Sequence, residues 1–319
     1  MDKLYKENPE HYDTGLIKIG LSEKQARGYS SYFRSIRDYY YDKIEKTYKE
    51  CIKDKSEIYI LDVGSGLGED AHALNRIVPN AKIYGIEVSK EAVSICQNQA
   101  KNNMIFIHGS ITEPQCNNFQ PNSFDIITNF TTLEHVGDPE KMIEICSYLL
   151  KPGGLLISAV PNHIYWKFWM FPAYFACLVR NKYYLCHSVE HQRIIKSANE
   201  NRLLLLDYDV IGFRPPQDFF KFIPESIFSY VMGLFKKIDR AYRNLGLKRL
   251  LYIEIFTHIK KNSNSKSCIK LKCTPKNRNF CFYIVSPFLV LMSAFFVFCN
   301  WARILTYIIK SLYKKIFKR

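Results

Sequence analysis

The sequence predicts an α/β fold, a parallel β-sheet with helices on both faces. Three observations carry this expectation. Ile58-Tyr59-Ile60-Leu61-Asp62-Val63 is a short, mostly apolar run, suited to a strand covered on both sides. A glycine turn follows at once, Gly64-Ser65-Gly66-Leu67-Gly68, and Glu69-Asp70 then opens a helical stretch, where carboxylates favour the positive end of a helix dipole. The same strand–helix alternation continues through residues 58–162, which places ligands at the C-terminal ends of the strands.

The elements follow in order. Residues 1–56 read as an N-terminal helical cap, with Ser22 as its N-cap and Tyr29, Tyr32, Phe33, Ile36, Tyr40 and Ile44 at helical spacing. That stripe suits packing on the domain or a cover over a ligand. A helix from Glu69 ends near Val78, before Pro79-Asn80, and a second strand covers Lys82–Glu87. The helix Lys90–Lys101 leads to a third strand, Met104–Ile107. A fourth runs from Phe124 to Asn129, and the helix Pro139–Leu150 stops at Lys151-Pro152-Gly153-Gly154. Leu155–Val160 is the fifth strand and Leu203–Val210 the sixth. Leu250–Phe256 reads as a seventh, antiparallel strand at the sheet edge, so that the catalytic domain covers 57–261.

The glycine turn distinguishes two cofactor classes. A dinucleotide turn needs a third glycine where this chain has Glu69, and a carboxylate there would oppose a pyrophosphate. The spacing of Asp62, Gly64, Gly66 and Gly68 instead resembles motif I of class I S-adenosylmethionine (SAM) methyltransferases. Glu87 lies 21 residues after Gly66 at a strand end, where a carboxylate can accept both hydroxyls of a ribose.

The ordered series DVGSGLGE, IYGIE, SFDIITNFTTLEHV and LKPGGLLISAVPN is similar to the ubiquinone-biosynthesis O-methyltransferase branch of that class, over about residues 55–215. The resemblance implies a Rossmann-like, seven-stranded methyltransferase sheet. It implies a SAM site made by Asp62, Gly64, Ser65, Gly66, Gly68, Glu87, Val88, Ser110, Ile111 and Asn129. Ser110 stands where relatives usually carry an acid that contacts the adenine. Relatives can also hold a divalent metal on an E-x-x-E-H element. Here Glu134 and His135 match, but Thr131 replaces the first acid, which leaves the set incomplete. His135 and His191 are the candidate bases for removing a proton from the acceptor.

Two stretches speak to the acceptor. Residues 162–185 form an aromatic insert, with seven aromatics between Ile164 and Phe175, suited to an apolar mouth. Residues 214–249 form a second, apolar insert. A basic linker, 262–279, then precedes the hydrophobic and amphipathic segment 280–319, in which Phe280–Ala302 carries no charge.

Charge sharpens this picture. The chain has a net charge of +15, yet Lys236–Arg319 holds 19 Lys/Arg against 2 Asp/Glu, while the first 235 residues hold 26 against 28. A basic tail with an uncharged run suits an anionic membrane surface better than nucleic acid. A single span would carry six C-terminal cations across the bilayer, so a monotopic or re-entrant anchor is the preferred topology over a single pass. Met1-Asp2-Lys3 opens without an apolar signal region, and none of the ten cysteines forms a CxxC pair. The expected location is therefore membrane-associated, with a cytosolic catalytic domain.

The reading that follows is a SAM-dependent methyltransferase, expected to be O-directed, acting on a hydrophobic or lipid-linked acceptor at the membrane surface. A sugar or glycan intermediate on a lipid carrier, and a tethered SAM-binding protein without transfer activity, remain alternatives. Acceptor atom and oligomeric state stay open.

Overall fold

The computed structural model describes residues 23–52, 55–113, 119–163, 189–212, 223–244 and 251–261. Seven strands form one sheet: β1 (Ile58–Val63), β2 (Ala81–Glu87), β3 (Met104–His108), β4 (Phe124–Phe130), β5 (Leu150–Pro161), β6 (Leu203–Ile211) and β7 (Ile253–Lys260). Their order is β3-β2-β1-β4-β5-β7-β6. The first five are parallel, and β7 runs antiparallel to both β5 and β6. This corrects one expectation. β7 is not an edge strand; it fills the gap between β5 and β6, and its residues Ile253–Phe256 are buried. Pairing on both sides explains why that run is so apolar.

Six helices among the described residues cover the sheet: α1 (Glu23–Cys51), α2 (Glu69–Ile77), α3 (Lys90–Gln99), α4 (Pro139–Leu149), α5 (His191–Glu200) and α6 (Glu225–Asn244). One face packs on α1, α2, α3 and α6, through residues such as Ile36, Leu74, Val93 and Phe235. The other packs on α4 and α5, through Met142, Cys146, Ile194 and Ala198. Local signals set the helix starts. Ser89 Oγ accepts the Ala92 N–H at 3.3 Å, and Asp138 Oδ1 accepts the Lys141 N–H at 2.9 Å ahead of Pro139.

The tyrosine-rich stripe of α1 is core. Tyr32, Ile36, Tyr40 and Ile44 are all buried, at roughly 1.5–3 kcal/mol for each large side chain. The Tyr40 hydroxyl donates to the Ile157 carbonyl at 3.0 Å, so its polar end is satisfied inside. The second apolar insert contributes α6, whose Phe228, Met232 and Phe235 close over α1, with the Tyr32 and Phe235 rings edge to face. No helix among the described residues is long and apolar enough to cross a membrane. The proposed N-cap Ser22, most of the aromatic insert, the linker 262–279 and the segment 280–319 lie outside the described residues.

Candidate cofactor and acceptor site

The glycine turn leaves β1 at the C-terminal rim of the sheet. Gly64, Gly66 and Gly68 all have positive φ, a conformation that glycine adopts without strain. Gly64 has no room for a side chain, since a Cβ would lie 2.4 Å from Thr132 Oγ1. Gly66 is the opposite case: a Cβ there would meet nothing within 4 Å. The backbone at Gly66 therefore faces open space, as a turn that admits a ligand should.

Glu87 ends β2 beside this space. Its two oxygens accept the Gly66 and Ser89 N–H groups, each at 3.0 Å. A carboxylate has about four lone-pair sites, so both oxygens keep capacity for a further donor. Asp62, at the end of β1, is buried; Oδ1 accepts the Thr128 hydroxyl at 2.9 Å and Oδ2 has no partner. Burial, with the neighbouring Asp70 charge adding to it, pushes the Asp62 carboxyl up to about 8. A cation brought near that oxygen would favour its ionised form. The buried Ser65 Oγ is likewise unpaired.

The remaining residues of the expected SAM site are more dispersed. Val88 is exposed just past β2. Ser110 turns its hydroxyl to Thr112, at 2.9 Å from Thr112 Oγ1. Ile111 is buried among the core residues of the α4 face. Asn129 crosses to β5, where its amide donates to Ser158 Oγ at 2.8 Å, and its buried Oδ1 is unpaired.

Contacts that no local motif announces support the turn. Arg37 of α1 pairs with Glu69 and Asp70, the first two residues of α2, and stacks 5.0 Å over the Phe130 ring. The Tyr41 hydroxyl reaches Asp70 Oδ1 at 2.5 Å. The Cys96 thiol donates to the Gly66 carbonyl at 3.3 Å, and burial pushes that thiol up to about 12, which keeps it a donor. Thr132 Oγ1 donates to the Val63 carbonyl at 3.0 Å. Beside it, Thr131 holds φ 54, a left-handed conformation uncommon for a β-branched residue.

The two candidate bases sit in different surroundings. His135 is exposed at the end of a short 3-10 turn, Leu133–His135, while its neighbour Glu134 is buried with its carboxyl pushed up to about 8 by desolvation. Among the described residues, no group of three His, Cys, Asp or Glu side chains could hold a metal ion. His191 begins α5. Its Nδ1 lies 3.6 Å from Glu254 Oε1, and its ring meets Tyr208 edge-on at 4.6 Å. Glu254 is buried and accepts the Tyr208 hydroxyl at 2.8 Å. Register places Glu254 level with Val160 and Val210, near the C-terminal ends of β5 and β6. His191 therefore belongs to the same rim as the glycine turn. A cavity of about 590 Å³ opens elsewhere, lined by Asn75, Arg76, Pro79 and Lys101.

A family model described as a methyltransferase domain matches residues 54–203. These residues are a SAM-dependent methyltransferase domain. The ubiquinone biosynthesis O-methyltransferase of Coxiella burnetii is 28% identical over 167 residues, covering 49% of this chain and 68% of that protein. The enzyme of the same name from Colwellia psychrerythraea is 33% identical over 117 residues, 35% of this chain and 47% of that one. Among solved structures, the YcgJ protein of Bacillus subtilis superposes with a TM-score of 0.47 at 18% identity, covering 70% of this chain and 99% of the other.

The residues of the methyltransferase domain fit the cofactor. Asp62 offers an unpaired buried oxygen to a cationic amine, Gly66 leaves the space open, and Glu87 retains acceptor capacity for ribose hydroxyls.

Proposed function

We propose that this methyltransferase acts on oxygen of a hydrophobic or lipid-linked acceptor at an anionic membrane surface, with its catalytic domain on the cytosolic side. The observation that carries the methyl-transfer half is the unpaired Asp62 Oδ2 beside the open backbone of Gly66. The acceptor half is supported by the relatives' name, by the aromatic run after Asn162 and by the basic, partly uncharged tail.

SAM supplies an activated methyl group when bound. The chain's own task is then to position the acceptor oxygen in line and keep water away, which accounts for most of the rate in such displacements. As the acceptor oxygen bonds to the methyl carbon, its proton must leave. We assign that proton to His191, whose ring is set by Glu254 and Tyr208, with His135 as the exposed alternative.

The test is to incubate the full chain with membranes and methyl-labelled SAM, then partition the products. Label in an organic-soluble lipid, released with its head group on hydrolysis, supports the proposal. Label confined to water-soluble products contradicts it. In the productive case, His191→Ala should lower turnover while leaving SAM affinity unchanged.

A further inference from the structure

A second cavity, about 160 Å³, lies between α1 and α6 at the end of β6, beyond the cofactor site. Its walls include Ser35 and Tyr39 from α1, Gly212 after β6, and Lys236, Arg240 and Arg243 from α6. The three cations sit at i, i+4 and i+7, so one helix face delivers all of them.

Their surroundings leave positive charge to spare. Asp239 also lines the cavity, but its carboxylate is engaged: Oδ1 accepts the Gly212 N–H at 2.7 Å and Oδ2 pairs with Arg243 at 3.2 Å. Asp209 takes the Tyr39 hydroxyl and lies 3.5 Å from Lys43. Arg243 is held over the Tyr39 ring at 4.7 Å, with its buried Nε lacking an acceptor. Among the described residues, neither Lys236 nor Arg240 has a carboxylate within ion-pair distance.

We infer that this cavity is a binding subsite for a phosphate or diphosphate group, held by Lys236, Arg240 and Arg243. The volume suits one such group, and guanidinium and ammonium donors are the usual partners for phosphate oxygens. Its place also fits the methyl acceptor, an extension that rests on the proposed transfer reaction. Gly212 follows β6 and Thr131 follows β4, three interstrand spacings apart along the rim, or roughly 14 Å. An acceptor anchored by its phosphate in this cavity could reach the strand ends beside the glycine turn. The acceptor class is then a phosphate-bearing amphiphile.

Titration calorimetry of the full chain with inorganic pyrophosphate tests the subsite. Saturable binding is expected, weakened at least about tenfold in Lys236→Ala/Arg240→Ala, both exposed positions whose loss leaves the core intact. Lys46→Ala/Lys49→Ala, at the far end of α1, should bind pyrophosphate as the parent does. Absence of saturable binding, or equal binding by parent and the Lys236/Arg240 variant, overturns the subsite. Competition assigns the source of the phosphate. Displacement of pyrophosphate by phosphatidylglycerol vesicles makes it a bilayer head group, and retention makes it part of a separate acceptor; either outcome supports the subsite. SAM affinity measured on the same samples reads the cofactor site separately, so failure of one reading is distinct from failure of the other.

Discussion

Arg37 on α1 and Asp70 on α2 meet at 2.9 Å, and the contact fastens the N-terminal helix to the glycine turn. Asp70 is buried, and it also takes the Tyr41 hydroxyl, so α1 grips the first turn of α2 with two side chains. Removing Arg37 would leave that carboxylate without its cation in a poorly solvated place. Arg37→Met should cost roughly 3 kcal/mol in urea unfolding, at the lower end for a broken buried pair because the arginine is part-exposed. It should also weaken SAM binding, since the turn loses its brace.

The glycines of the turn separate folding from binding. Gly64→Ala forces a Cβ against Thr132 and should destabilise the chain by several kcal/mol, with loss of soluble protein as the readout. Gly66→Ala meets no neighbour and suffers only its positive φ, so it should fold with a loss of roughly 1–2 kcal/mol. Its SAM affinity should nevertheless fall steeply, because the new methyl group enters the space left for the ligand.

Thr131 stores strain at the end of β4. A β-branched residue with φ 54 costs on the order of 1–3 kcal/mol, more than the added chain entropy of glycine. Thr131→Gly should therefore raise stability by roughly 1 kcal/mol in denaturant unfolding. If the strain serves to aim this loop at the acceptor, the same variant should lose turnover.

Asp62 and Glu134 make stability depend on pH. Each folded-state value is raised to about 8, whereas carboxyls in the unfolded chain ionise near about 4. Between those limits the folded chain holds more protons than the unfolded one, so stability falls as pH rises from about 4 to about 8. Asp62→Asn removes one of these groups and should be the more stable protein at pH 8, by up to about 5 kcal/mol from linkage, while the two converge at pH 4. Chemical denaturation across that range measures the difference.

The elements that were legible from sequence are those whose signals are local. The apolar run 58–63, three glycines, and an acid 21 residues beyond Gly66 define the turn and its partner on β2 without reference to the rest of the chain. What escaped is what pairs across distance. Arg37 with Asp70, Cys96 with the Gly66 carbonyl, and Thr132 with the Val63 carbonyl join residues 30 to 69 positions apart. The place of β7 inside the sheet is not legible locally for the same reason, because only its pairing with β5 and β6 sets it. The period of the α1 stripe suits either a core face or a cover over a ligand; its aromatic face is core, and Arg37 and Tyr41 from its flank reach the glycine turn.

The central claim is that the glycine turn and the end of β2 form one SAM site. Titration calorimetry with SAM tests it most directly, using the parent chain and Glu87→Ala. The prediction is saturable binding by the parent and a loss of at least about tenfold in the variant, as two hydroxyl acceptors disappear. Thermal unfolding in the absence of SAM would show that the variant remains folded. No binding by the parent chain, or equal affinity in both proteins, would contradict it.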